Sequence, residues 1–205
     1  MGRRNEDPPR VKLFVALMAQ PGDLFQECEA RLAAEFGPVD ARGEFYSADA
    51  YTQYYAQEFG ENLVKCIVSL GKLAPPEQLV DVKIRANAIE DFFARKADPL
   101  ADAPPRIINI DPGYLNCSKV VLATTKDHAH RLYMGRGVFE EVTLSFLRKE
   151  RGFQPHPWTY PDYRAPERLD FFNRLREIYR RQLRSENAPS AGNGAQVEKD
   201  PNPRG

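Results

Sequence analysis

Apolar residues run almost without a break from Val11 to Ala19 (VKLFVALMA). Such a run marks a central strand covered on both faces. Gln20-Pro21-Gly22 interrupts it. Asp23 then fits a helix N-cap, with Gln26 placed to complete a capping box. Leu24, Cys28, Leu32 and Phe36 follow at helical spacing, and Gly37 suits the position just past the helix end. A shorter strand is expected over Phe45–Ala50. A helical turn over Thr52–Gly60 would follow, setting Tyr51, Tyr55 and Glu58 on one face.

Leu63–Leu70 reads as a further strand, with Leu63, Lys65, Ile67 and Ser69 on one side and Val64, Cys66, Val68 and Leu70 on the other. Pro75-Pro76-Glu77 opens a long helix, since proline is tolerated in a first turn. Its apolar stripe is Leu79, Val82, Ala86, Ile89 and Phe93, and beside it runs a polar stripe of Lys83, Asn87 and Glu90. Such a stripe ordinarily faces water. Residues 97–105 form a connector, and a strand begins at Arg106 and runs to Ile110. The order so far is β-α-β-β-α-β, the pattern of a ferredoxin-like split unit with two helices on one face of an antiparallel sheet. A differently ordered α/β sheet is the alternative.

More strands are expected at Lys119–Thr125, Arg131–Met134 and Val138–Leu147, the last two joined by a hairpin turn at Gly135-Arg136-Gly137. Pro155, Pro157 and Pro161 make residues 154–163 an extended, irregular segment. Pro166 opens a last helix, and from Ser185 onward the chain offers almost nothing to bury. The expected architecture is one α+β domain over residues 11–184, a ferredoxin-like core extended by C-terminal antiparallel strands and a last helix. A flexible N-terminus (1–10) and a disordered tail (185–205) would flank it.

Composition narrows the function classes more than it names one. The chain has 205 residues, enough for one such domain with a real core. Lys+Arg equals Asp+Glu at 29 each, so no overall field draws it to nucleic acid or membrane, and any anion site must be local. Three widely spaced cysteines without a C-x-x-C argue against a disulfide framework or a zinc knuckle. With no signal-like N-terminus and no membrane-length apolar run, a cytoplasmic protein is expected.

Candidate chemistry gathers between Arg106 and Arg164. Asn109 and Asp111 share one face of their strand, although Asp111-Pro112-Gly113 would also make a type II turn. Lys119, Lys126 and Arg131 bring cations close to Thr124, Thr125 and His130. A phosphate or carboxylate calls for such fixed charge with hydroxyl or backbone donors. In the next strand Glu141, Thr143 and Ser145 alternate with Val138, Val142, Leu144 and Phe146 on the opposite face. His128 and His130 would point the same way on a strand, as metal ligands can. No tighter ligand set accompanies them, so an acid/base role for His130 is preferred and no metal is expected. There is no P-loop, no G-x-G-x-x-G after the first strand and no G-x-S-x-G elbow. Trp158 and Tyr160 are read as clamps that hold the proline-rich segment to the core rather than as base-stacking groups.

The strings T-x-YY-x-x-E-x-G (Thr52–Gly60), K-x-x-x-N-x-x-E (Lys83–Glu90), NIDPGYL, HRLY, EVTL and WTYPDYR carry a resemblance. Together they resemble a prokaryotic family grouped as a domain of unknown function, number forty-four sixteen, over residues 12–183. The resemblance brings no activity, cofactor or catalytic residue. It does imply that Tyr54, Tyr55, Glu58, Lys83, Asn87, Glu90, Asn109, Asp111, Gly113, Tyr114, Lys119, Lys126, His130, Arg131, Glu141, Thr143, Tyr160, Asp162 and Tyr163 are signature positions. It also favours a cleft rather than bulk water for the Lys83 stripe.

The resulting expectation is an enzyme or binding protein for a phosphorylated or carboxylated small molecule, with a nucleotide among the candidates. Asp111, His130 and Glu141 would be the catalytic groups. Asn109, Lys119, Lys126, Arg131, Thr143, Lys83, Tyr55, Glu58 and Asp162 would hold the substrate. The cofactor is left open, and neither nucleic acid nor a membrane is expected as partner. The competing expectation is a protein-interaction module in which these charges form a structural salt-bridge network.

Overall fold

Every residue of the first strand, β1 (Val11–Ala19), is buried, because it lies in the middle of a sheet with helices on both faces. The structure, a computed structural model, describes residues 8–52, 56–100 and 105–186. After β1 come α1 (Leu24–Phe36), β2 (Val39–Arg42), β3 (Tyr46–Ser47), the short α2 (Ala56–Phe59) and β4 (Val64–Ala74). Then follow α3 (Gln78–Ala97), β5 (Ile108–Leu115), β6 (Lys119–Thr124), β7 (Leu132–Gly135) and β8 (Val138–Leu147). β9 (Gly152–Pro155), a 3-10 turn (Pro161–Arg164) and α4 (Pro166–Glu186) complete the described chain. All strand pairings are antiparallel, and the sheet runs β2-β4-β1-β5-β6-β8-β7, with β3 on β4 and β9 on β8. The protein is thus α+β, with three long helices and one large antiparallel sheet.

Alternation along β1 sorts the core into two layers. Val11, Leu13, Val15, Leu17 and Ala19 pack with Cys28 and Leu32 of α1 and with Leu79, Val82, Ala86 and Phe93 of α3. Phe14 and Ala16 face the other way, against Phe171, Phe172, Leu175 and Tyr179 of α4. Lys12 shares that second face and is fully buried. Its three donors are all used, on Asp40 Oδ2 (2.6 Å), the Leu70 carbonyl (3.2 Å) and Gln182 Oε1 (3.0 Å). Burial pulls its pKa down, and the hydrogen bond and charge of Asp40 act against that.

Several expectations are corrected. Asp23 is helical in backbone and makes no side-chain cap bond, so the capping box does not form. The strand expected at Phe45–Ala50 shrinks to Tyr46–Ser47, and β2 appears ahead of it. β2 was hidden because its polar residues are satisfied by distant partners: Asp40 by Lys12, and Arg42 by Glu29 of α1. Part of the segment expected to be irregular forms β9 on β8. Asp111-Pro112-Gly113 makes no turn, because β5 runs straight through it. Gly113 fits there because a Cβ would collide with the Val121 carbonyl and come 2.5 Å from Phe14 Cζ. The simple alternation of β8 also fails. Val121 pairs with Val142 and Val120 with Leu144, so Thr143 is a bulge that turns Leu144 and Phe146 to the α4 side while Val138 and Val142 stay on the α3 side. The hairpin at Gly135-Arg136-Gly137 has positive φ at all three residues, as a tight turn between twisted strands needs. α4 extends through Ser185 and Glu186; the rest of the expected tail, and residues 1–7, lie outside the described residues.

Candidate functional site

The sheet is split between β5 and β6. These strands pair only through Gly113–Leu115 with Val120–Leu122, so residues 108–112 of β5 present an edge without a strand neighbour among the described residues. A bare edge in the interior would leave polar backbone unsatisfied. Two side chains of α3 take its place: Lys83 Nζ donates to the Ile110 carbonyl (3.0 Å), and Glu90 Oε1 accepts from the Ile110 N–H (2.6 Å). The polar stripe of α3 is therefore not a solvated face, for Lys83 and Glu90 are both buried. Pro112, two residues on, shares the orientation of Ile110, so the N–H it lacks is one that would have pointed into the split.

A polar network lines this opening. Asn109 Nδ2 donates to Asp111 Oδ2 (2.6 Å), and Lys83 Nζ reaches Asp111 Oδ1 (3.2 Å). Arg106 bonds Asn109 Oδ1 (2.8 Å), Glu90 Oε2 (2.6 Å) and, at the rim, Glu58 Oε1 (2.7 Å). From β4, Lys65 Nζ bonds Asp162 Oδ2 (2.7 Å), which also accepts from Tyr46 Oη (2.9 Å). Lys65, Asn109 and Asp111 share a face because β1 residues Met18 and Ala16 stand opposite them. Burial pushes the Asp111 carboxyl up, but the charges of Lys83 and Lys65 and the bonds from Asn109 and Lys83 outweigh it. The net result lies below the ordinary value, so Asp111 stays ionised. Burial raises Glu90, against the pull of Lys83 and Arg106.

The opposite wall is built by β8 and the loop between β6 and β7. Glu141 Oε2 accepts from Arg131 Nε (2.7 Å) and meets His130 Nε2 at 3.0 Å; Thr143 Oγ1 lies 3.4 Å from Glu141 Oε1. Arg131 further donates to the Lys126 carbonyl (2.9 Å) and to Tyr160 Oη (2.7 Å), and Lys126 N–H bonds Thr124 Oγ1 (3.2 Å). Between the two walls lies a cleft of about 890 Å³. Among its lining residues are Lys65, Lys83, Asp111, Arg131, Glu141 and Tyr163. The Tyr163 hydroxyl is buried and has no hydrogen-bond partner among the described residues. Burial, with the nearby Asp162, Tyr46 and Asp111, holds it firmly protonated.

Of the residues singled out by sequence, the cleft brings together Asn109, Asp111, Lys83, Lys126, Arg131, Glu141 and Asp162. His130 and Thr143 stand behind Glu141 and contact it, and Glu58 holds Arg106 at the rim. Lys119 is not part of it. It opens β6, at the other end of the strand from Thr124, and its charge acts on Glu140. Tyr54 and Tyr55 lie outside the described residues. Lys65 and Arg106, which also line the cleft, were missed as candidate residues. A lysine on the same strand face as buried Ile67 and Ser69 was the available signal for Lys65. Among the described residues no group of three or more His, Cys, Asp or Glu side chains is arranged to hold a metal ion. No helix among them is long and apolar enough to cross a membrane.

Trp158 is a clamp in the mechanical sense. Its Nε1 donates to the Val142 carbonyl (2.9 Å), and its ring is stacked between those of His130 and His156.

No curated protein and no solved structure matches the chain. A family model, described as a domain of unknown function (DUF4416), matches residues 9–179, and by that match the chain belongs to the DUF4416 family.

Proposed function

We propose that this protein binds a phosphorylated or carboxylated small molecule in the split between β5 and β6, in the cytoplasm. The observation that carries the proposal is the pair of ammonium groups at the cleft floor. Lys65 from β4 and Lys83 from α3 approach Asp111 from opposite layers, and Lys83 is itself buried. Burying cations is costly unless they are paired. The arrangement sets two ammonium groups at the wall of an open volume, where a ligand anion can compete with Asp111 and Asp162 for them. That volume is within the range of small-molecule sites. Ionised Asp111 is suited to accept from a ligand hydroxyl or ammonium. Proton transfer, if the ligand is turned over, falls to Glu141 and to His130 behind it. The fold reading that goes with this proposal is a ferredoxin-like core: the order β2-β4-β1-β5, with α1 and α3 packed on one face, supports it.

A thermal-shift screen of phosphates, sugar phosphates, nucleotides and carboxylates tests the reading. A ligand at about a hundred times its dissociation constant stabilises the fold by about 2.7 kcal/mol, which is about 5–10 °C for a domain of this size. Sodium chloride at equal ionic strength controls for screening. Lys65→Ala is expected to remove the specific shift. No anion exceeding the salt control would overturn the proposal.

A second reading, an interaction module, is favoured by one feature. Leu132, Tyr133 and Met134 of β7 are 72%, 64% and 47% exposed at the end of the sheet. Self-association abolished by Leu132→Lys would support it, measured by light scattering on a sizing column.

A further inference from the structure

All three histidines and the single tryptophan of the chain stand in one pile of rings. His128 lies 6.0 Å from His130 at an interplanar angle of 5°, His130 lies 5.5 Å from Trp158 at 16°, and Trp158 lies 4.8 Å from His156 at 5°. The three rings behind His128 are pinned by hydrogen bonds: His130 to Glu141 (3.0 Å), Trp158 to the Val142 carbonyl (2.9 Å), and His156 to Ser145 Oγ (2.9 Å). His128 is the terminal ring at the loop end. It is exposed, and it lines the same cleft as Lys65 and Lys83. One of its faces is covered by His130, and the other has no ring against it among the described residues.

We propose that the outer face of His128 is a stacking platform for a nucleobase, so that the ligand of the cleft is a nucleotide whose phosphate is held by the lysines of the floor. This rests on the anion-site reading above and names the ligand class. The physical reason is that the rings are parallel and anchored from behind. A further planar ring can extend the pile without reorganising it, and the ordering cost of the platform is already met. Bases of every kind have a π-face, and histidine is among the side chains they stack on. A ligand carrying phosphate alone would leave this face of the cleft unused.

The test uses the full chain and compares a nucleoside 5′-monophosphate with ribose 5-phosphate, which has the same phosphate and sugar but no base. Titration calorimetry gives the affinities, and emission of Trp158, the single tryptophan, reports a disturbance of the pile passed on through His130. The nucleotide is expected to bind about five- to hundredfold more tightly than ribose 5-phosphate, and only the nucleotide should change the emission. His128→Ala should bring the nucleotide down to the affinity of ribose 5-phosphate and leave the latter unchanged. His128→Phe should restore the difference. Equal binding of the two probes to the wild-type protein overturns the platform while the anion site stands, as does a nucleotide preference that survives His128→Ala. Binding of neither probe overturns both.

Discussion

Lys83 donates to the carbonyl of Ile110 at 3.0 Å, from a helix to a strand edge that no other strand among the described residues completes. The same ammonium compensates Asp111. Replacing Lys83 with Ala therefore removes two partners at once. The expected cost is about 3–5 kcal/mol, the usual penalty for leaving a buried charge uncompensated. Urea denaturation measures it. Lys83→Met with Asp111→Asn should lose less than Lys83→Ala, because the stranded carboxylate is then gone; an equal or greater loss would refute the coupling.

Tyr163→Phe separates stability from ligand recognition. Its hydroxyl is buried without a partner among the described residues, while its ring stacks on Phe172. Removing the oxygen deletes an unsatisfied group and keeps the packing, so the ligand-free protein should be unchanged or up to about 1 kcal/mol more stable. The anion-specific thermal shift should be retained, because the hydroxyl is closed off from the cleft. A clear loss of ligand-free stability would mean the hydroxyl has a partner in solution.

Much of the framework was legible, and the reason is periodicity. β1 announced its double burial by lacking alternation, and α3 and α4 announced themselves by apolar stripes. What could not be read depends on residues far apart in the chain. Asp40 makes a strand residue of itself only because Lys12 is waiting for it. Asp111-Pro112-Gly113 has turn chemistry in isolation, and only the sheet split explains why a strand accepts it. At the site, Asp111 and Glu141 were marked by polar residues where apolar ones were due. Lys119 had the same look, yet it sits at the wrong end of β6, and composition contains nothing about which end of a strand meets a cleft.

The Glu140 carboxyl, on the α3 side of β8, is pushed up to about 7 by burial, against the charge of Lys119. An unfolded glutamate titrates near 4.3, roughly. The folded state therefore holds this proton more tightly. No penalty exists at low pH; it grows as pH rises from about 4.3 and is complete above about 7. Glu140→Gln should thus stabilise the protein by about 1–2 kcal/mol at pH 8, allowing for partial solvent screening, and have little effect near pH 4.5. Urea denaturation at both values checks it; a benefit independent of pH would refute it.

Gly113→Ala probes the seam where β5 and β6 still pair. The added methyl would meet the Val121 carbonyl and the Phe14 ring. One neighbour is backbone and the other fully buried, so neither can yield cheaply. The expected loss is about 1–3 kcal/mol, read from the denaturation midpoint, and a neutral substitution would show that the seam is looser than it looks.

The proline at position 112 also decides what kind of guest the split can receive. A peptide recognised by sheet extension needs alternating main-chain donors and acceptors along a free edge. On β5 those of Ile110 are already engaged by Lys83 and Glu90, and Pro112 has no donor to lend. An unpaired strand edge ordinarily invites an extra strand, yet at Ile110 and Pro112 this one has no free donor to offer. It turns away polypeptide backbones, those of misfolded neighbours included, and leaves its side chains as the language in which an occupant can be addressed.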